Sequence, residues 1–201
     1  SGTGELLISS GTGNTTALTL DNSQDATFAG DIITTTAGTS NFRAGVNAGN
    51  SITSGGNYNV TVGDEAGTAI TTGDRNAIVG YAAGDALTEG GSNVSVGYLS
   101  LTADTKGSRS VAVGDLALTS QNFTSATNAL NTAVGYAAGY AVSTGTENTL
   151  IGASAGVAVT TGVQNTLIGT YAGDALTDAD HNTAVGRQAL TTDTLGSRST
   201  A

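Results

Sequence analysis

Asn148-Thr149-Leu150-Ile151-Gly152-Ala153-Ser154-Ala155-Gly156-Val157-Ala158-Val159-Thr160-Thr161-Gly162-Val163-Gln164 runs straight into Asn165-Thr166-Leu167-Ile168-Gly169, the same five residues 17 positions on. A fixed period changes how every residue is read, so it governs the reading of the whole chain. Asn59, Asn76 and Asn93 lie 17 apart; Ser110 follows at the same step, Asn131, Asn148, Asn165 and Asn182 repeat it, and Ser199 continues it. From Ser110 to Asn131 the step is 21, which places a four-residue insertion within Gln121 to Leu130. A weaker copy begins at Asn41, one residue out of phase with Asn59.

The unit is approximately Asn-Thr-x-Val-Gly-x-x-Ala-Gly-x-Ala-Leu-Thr-Thr-Gly-x-x. Position four is always β-branched: Val62, Val79, Val96, Val113, Val134, Ile151, Ile168, Val185. Position five is always Gly, and position eight is Ala except at Ser100. A β-favouring run, a Gly, a second short run, then Thr and Gly describe one coil of a parallel β-solenoid or β-roll, an all-β fold. The recurrent Gly supplies a positive φ or a close backbone approach at a corner. Coils stacked about 4.8 Å apart use every amide N–H, which suits a chain without Pro. Asn at position one, coil after coil, predicts a side-chain amide ladder. A helix competes only at Tyr81-Ala82-Ala83-Gly84-Asp85-Ala86-Leu87, too short and too Gly-broken to persist.

Adjacent apolar residues in Leu150-Ile151 and Leu167-Ile168 put hydrophobic side chains on both faces of the strand. One face points into its own coil. A 17-residue coil is too narrow for two cores, so the other face is expected to be covered by identical chains.

Composition narrows the function. Among 201 residues there are 30 Gly, no Cys, Met or Trp, and 4% aromatics, so the core must be built from small aliphatic side chains. With only 11% charged residues, Thr, Ser and Asn keep the surface wet, as in β-rich extracellular proteins. The net charge of -10 repels phosphate backbones and anionic lipids, so no nucleic-acid partner is expected. No apolar run approaches the ~18 residues of a membrane span, and no membrane insertion is expected. The chain opens Ser1-Gly2-Thr3-Gly4 and stops in mid-coil at Ser199-Thr200-Ala201, so it reads as part of a longer protein with sequence downstream. Residues 1–40 lack the period and read as a β-rich leader, with strands at Glu5 to Ser9, Thr16 to Leu20 and Ala26 to Thr35; residues 41–201 are the solenoid. Coils starting at Asn93 and Asn182 carry Leu101 and Leu190 at position nine and end Gly-Ser-Arg; they lie 89 residues apart, as a five-coil superperiod requires.

Arg109-Ser110-Val111-Ala112-Val113-Gly114 resembles the head repeat of trimeric autotransporter adhesins. Asn131-Thr132-Ala133-Val134-Gly135-Tyr136 and Asn182-Thr183-Ala184-Val185-Gly186 are more similar to 17-residue repeats of bacteriophage tail-fibre proteins. Ala17-Leu18-Thr19-Leu20-Asp21-Asn22 with Ala26 to Ile32 also looks like tail-fibre sequence. The resemblance implies a homotrimeric fibre in the virion, joined to other tail or fibre proteins and serving attachment to a host cell-surface receptor or glycan. Without coiled-coil stalk or membrane anchor in this sequence, the bacterial cell-surface adhesin head is the alternative. Abundant Thr prompts a third reading, an ice-binding solenoid, although Thr sits mainly at positions two, thirteen and fourteen.

Candidate sites are sparse. Tyr81, Tyr98 and Tyr136 share position six and read either as a packing ladder or as a row facing sugar rings. Phe123, in the insertion, reads as a receptor contact on a protruding loop or as part of a tolerated bulge. His181, the only His, stands beside Asp178 and Asp180 as a solvated turn. Gly63-Asp64, Gly84-Asp85, Gly114-Asp115 and Gly173-Asp174 raise calcium binding, yet the nonapeptide pattern is missing and turn chemistry suffices. Arg75, Arg109 and Arg198 share position seventeen and suit salt bridges. Asn14, Asn59, Asn93 and Asn122 begin glycosylation sequons. No nucleophile elbow, phosphate loop, zinc pattern or dinucleotide fingerprint occurs. The expectation is a non-enzymatic protein with no cofactor, catalytic residue or metal.

Overall fold

The structure, a computed structural model, describes residues 19–20, 26–27 and 37–201. The chain divides into two compact units, Ser1–Thr34 and Thr35–Ala201. In the first, β1 (Thr19–Leu20) pairs antiparallel with β2 (Ala26–Thr27). The expected strand at Glu5 to Ser9 and the rest of the expected leader up to residue 36 lie outside the described residues.

The second unit is a parallel β-solenoid. Its strands are β3 (Phe42–Ala44), β4 (Val60–Val62), β5 (Ala77–Val79), β6 (Val94–Val96), β7 (Gly107–Ser108), β8 (Val111–Val113), β9 (Thr127–Asn128), β10 (Thr132–Val134), β11 (Thr149–Ile151), β12 (Thr166–Ile168) and β13 (Thr183–Val185). Nine of them form one parallel sheet in the order β13-β12-β11-β10-β8-β6-β5-β4-β3, each from a successive coil. Pairing joins equal positions of the repeat: Thr132 to Thr149, Ala133 to Leu150, Val134 to Ile151. The insertion leaves this register intact, since β10 pairs with β8 through Thr132 to Val111. It also forms β9, which lies along β7 in a separate two-stranded ladder.

Position five needs Gly for both anticipated reasons at once. Gly152 has φ 130°, and a Cβ there would lie 2.6 Å from the carbonyl of Gly169 in the next coil. Positions seven and seventeen are left-handed as well, without glycine: Ala82, Ala137 and Gln188 at seven, and Arg75, Leu130, His181 and Arg198 at seventeen, have φ between 48° and 63°. Such residues cost roughly 1–2 kcal/mol each as isolated choices. The conformation turns their N–H along the stack, where Ala82 donates to Asp64 O and Arg75 to Asn57 O. A parallel ladder that satisfies every coil overrides the local preference.

The amide ladder forms at position one. Asn148 Nδ2 donates to Gly162 O (2.8 Å) and to Asn131 Oδ1 (3.2 Å), while its Oδ1 accepts from Asn165 N and Nδ2 (both 3.0 Å). These asparagines are fully buried. Ser110 interrupts the column, and Gln121, from the opposite side of the same coil, fills in: its Oε1 accepts from Asn131 Nδ2 at 2.9 Å and its Nε2 donates to Ser110 Oγ at 3.0 Å. A second ladder runs at position thirteen, where Thr71, Thr88, Ser143 and Thr177 hydroxyls donate to the carbonyl of the same position one coil on.

The core is the column of positions three, eight and twelve. Ile78, Leu150 and Leu167 at three, Ala83, Ala138 and Ala172 at eight, and Ile70, Leu87 and Leu176 at twelve are fully buried. Each large side chain contributes about 1.5–3 kcal/mol by leaving water. Two coil kinds fill this volume differently. Where position nine is Gly, position twelve is apolar, as in Gly84 with Leu87; a Cβ on Gly173 would fall 3.0 Å from Leu176 Cδ1. Where position nine is Leu (Leu101, Leu118, Leu190), position twelve is polar (Asp104, Gln121, Asp193). Leu101 and Leu118 are fully buried. Asp104, freed from the core column, accepts from Gly107 N and Phe123 N through Oδ1 and from Gln121 Nε2 through Oδ2. The Ser100 exception also has a partner: its Oγ lies 2.7 Å from that of Ser95, at position three of the same coil.

Candidate functional site

Among the solvent-facing parts of the coil are the outer side of the main sheet, the corner at position six, and the corner at positions sixteen and seventeen. In strands β4 to β13 of the main sheet the middle residue is buried, while its neighbours at positions two and four point away from the core. Val60, Val79, Ile151 and Val185 are 40%, 39%, 37% and 59% exposed. The outer side is therefore a flat array of Val, Ile, Ala and Thr with no charged residue from β4 to β13.

At position six, Tyr81 and Tyr98 stack across adjacent coils with ring centroids 5.7 Å apart and planes 15° from parallel. Both are half-exposed. Tyr136 is exposed too, but Asp115 occupies the same position between it and Tyr98 and accepts from Tyr98 N. The structure thus assembles an aromatic pair rather than a row of three. Exposed Tyr58, Tyr140 and Tyr171 lie at positions seventeen, ten and seven and carry no repeat signal.

Phe123 lies inside the insertion rather than on its surface. It is only 7% exposed; its N–H donates to Asp104 Oδ1, and its carbonyl accepts from Lys106 N and the Thr105 hydroxyl. The apolar ring follows its transfer free energy inward, while Asn122, Thr124, Ser125, Ala126, Asn128 and Leu130 are the exposed residues of the segment.

The remaining candidates resolve into coil-to-coil contacts. Asp64, Asp115 and Asp174 accept from Val46 N, Tyr98 N and the Thr191 hydroxyl of neighbouring coils, and Asp85 accepts from the Thr102 hydroxyl. His181 is exposed, and its backbone N–H donates to Val163 O. Asp178 accepts hydroxyl hydrogen bonds from Thr160 and Thr161, which hold its carboxyl below the usual carboxylate range. No cluster of three or more metal-ligating side chains occurs among the described residues. No described helix is long and apolar enough to cross a membrane. Asn59 and Asn93 are buried with their amides committed to Gly73 O and Gly107 O, leaving Asn122 as the exposed described sequon.

These features define a β-solenoid repeat protein. Comparison with protein-family models, curated proteins and solved structures returns no match.

Proposed function

We propose that this chain is a non-enzymatic shaft segment of a phage-type host-attachment fibre, three copies of which bury the outer side of the main sheet around a common axis. The observation that carries this reading is the uncharged apolar array at positions two and four. The eight strands from β4 to β13 in the main sheet, at ~4.8 Å spacing and about 10 Å of strand width, give an array of ~400 Å², within the about 300–600 Å² of the largest patch on a typical monomer, which is often functional. Stable interfaces bury ~800 Å² per partner, so the corner at position six must join the contact. Position four is β-branched in every coil because a flat, repetitive face packs such side chains well. A stiff hydrogen-bonded rod would hold a recognition tip away from the particle, and three copies add multivalency.

Sedimentation equilibrium tests the assembly: the expected mass is three times the 19.5 kDa of one chain. Val134→Lys combined with Ile151→Lys should give monomers with unchanged β circular dichroism, because both side chains face outward. A monodisperse single chain for the unmodified protein would remove the basis of the fibre reading.

One observation favours a second reading. On β10 to β13 the outward pairs are Thr132 with Val134, Thr149 with Ile151, Thr166 with Ile168 and Thr183 with Val185, a regular hydroxyl and methyl grid of the kind an ice-binding face requires. That function needs the same surface free. A monomer showing thermal hysteresis supports it, and a trimer without hysteresis supports the fibre.

A further inference from the structure

At the corner formed by positions sixteen and seventeen, Gly91 and Ser92 lie between Asp74-Arg75 on one neighbouring coil and Ser108-Arg109 on the other. The two small residues leave a cleft of about 170 Å³, walled by Asp74, Arg75, Glu89, Ser108, Arg109 and Asn128. Both acids are engaged: Arg75 pairs with Asp74 at 2.8 Å and Lys106 with Glu89 at 2.9 Å. The exposed Arg109 guanidinium has no partner among the described residues. Three of the six Lys and Arg residues of a chain with net charge -10 therefore meet at one corner, with one positive charge in excess.

We infer that this cleft binds a carboxylate-bearing sugar residue, with the carboxylate on Arg109. A planar guanidinium matches a carboxylate with two parallel hydrogen bonds. One excess positive charge beside Asp74 and Glu89 suits a monoanion; a phosphate, carrying about 1.5–2 negative charges, is repelled by both acids. The other walls suit sugar hydroxyls. Ser92 Oγ accepts from Arg75 Nε and Ser108 Oγ from Gly91 N, which leaves both O–H groups to donate outward. The oxygens of Asp74 and Glu89 and the Asn128 amide are acceptors for ligand hydroxyls. The volume is below the ~300 Å³ of drug-sized pockets, so the cleft takes a single ring.

The superperiod supplies an internal control. Ser197-Arg198 repeats Ser108-Arg109 at the same positions, and Ser197 Oγ accepts from Asp180 N as Ser108 Oγ does from Gly91 N. Arg109 and Arg198 share φ 63°. There, however, Asp180-His181 stands where the cleft has Gly91-Ser92.

The inference rests on the attachment reading for the source of the sugar. Its test is titration of the full chain at low salt with glucuronic acid, glucose and inorganic phosphate, followed by calorimetry and amide chemical shifts. Saturable glucuronate binding is expected, with shifts at Gly91, Ser92 and Arg109 and at least tenfold weaker binding of glucose and phosphate. Arg109→Ser and Ser92→His should each weaken glucuronate tenfold or more, while Arg198→Ser leaves it unchanged. Ser and His already occupy position seventeen at Ser92 and His181, so both variants suit the backbone, and either one decides if the other does not fold. Absent saturable binding, equal binding of glucose or phosphate, or folded variants with unchanged affinity each overturn the proposal. Sedimentation of the same samples separates the two readings: a trimer that ignores glucuronate sinks the cleft alone, and a monomer that binds it sinks the fibre alone.

Discussion

Replacing Asn148 tests whether the buried amide column, rather than apolar packing alone, holds the coils in register. In Asn148→Ala, Gly162 O loses a donor, and Asn165 loses the acceptor for its N–H and for one hydrogen of its Nδ2. All the asparagines involved are fully buried, so water does not replace what is lost. At about 1–3 kcal/mol for each orphaned group, the variant should lose ~3 kcal/mol or more. Asn148→Asp separates hydrogen bonding from volume, because it is isosteric. Its carboxylate still accepts from Asn165 but cannot donate to Gly162 O or Asn131 Oδ1, and burial disfavours the charge. The folded-state pKa of that aspartate must then lie above its unfolded value of ~3.9. The folded state holds the proton longer, so stability relative to the parent is best below that value and falls as pH rises through the folded pKa. Urea denaturation at several pH values measures this. An Asn148→Asp protein as stable as the parent at pH 7, or one that gains stability with rising pH, would falsify the ladder account.

Gly152→Ala meets a φ of 130° and a 2.6 Å approach to the Gly169 backbone, and should cost more than 3 kcal/mol; Gly84→Ala, at φ 52° with only the Ile78 Cδ1 end at 3.1 Å, should cost about 1 kcal/mol. Denaturation midpoints of the pair check the ranking. Gln121→Leu leaves the buried Asp104 Oδ2 and Asn131 Nδ2 short of partners and should destabilise by at least about 2 kcal/mol, with hydrogen exchange rising first between β8 and β10. The lowered Asp178 pKa, set chiefly by the Thr160 hydroxyl and then by Thr161, means that its stabilising contribution is present above the ordinary aspartate value of 3.8 and is lost as pH falls through the lowered folded value. Thr160→Val should move the Asp178 titration upward in a carboxyl NMR experiment.

The period, the parallel pairing of equal positions, the obligatory Gly at position five and the amide column were all legible in the sequence, because each reflects one geometry imposed repeatedly. Left-handed Leu130, Arg75 and His181 were not legible: their conformation comes from the hydrogen-bond demand of neighbouring coils, and nothing in the side chains marks it. The two coil kinds were visible as a Leu at position nine, but the exchange of volume between nine and twelve appears only once both point into one column. For Phe123 the sequence left a protruding contact and a bulge both open; its placement inside follows from a lone aromatic in a polar segment being drawn out of water. The aromatic stack of Tyr81 on Tyr98 followed from spacing, whereas the cleft did not. It depends on small residues at Gly91 and Ser92 being flanked, above and below, by larger ones 17 residues away on either side.

The insertion departs after Asn122, whose N–H still bonds to Ser143 O, and the coil closes again at Leu130 with β10 seated on β8. Contour length has been added while the axial rise per rung is untouched. Foreign peptide placed between Ser125 and Ala126 would accordingly hang outside the rod at a known height, making that corner a grafting point for epitopes or tethers spaced by whole numbers of rungs.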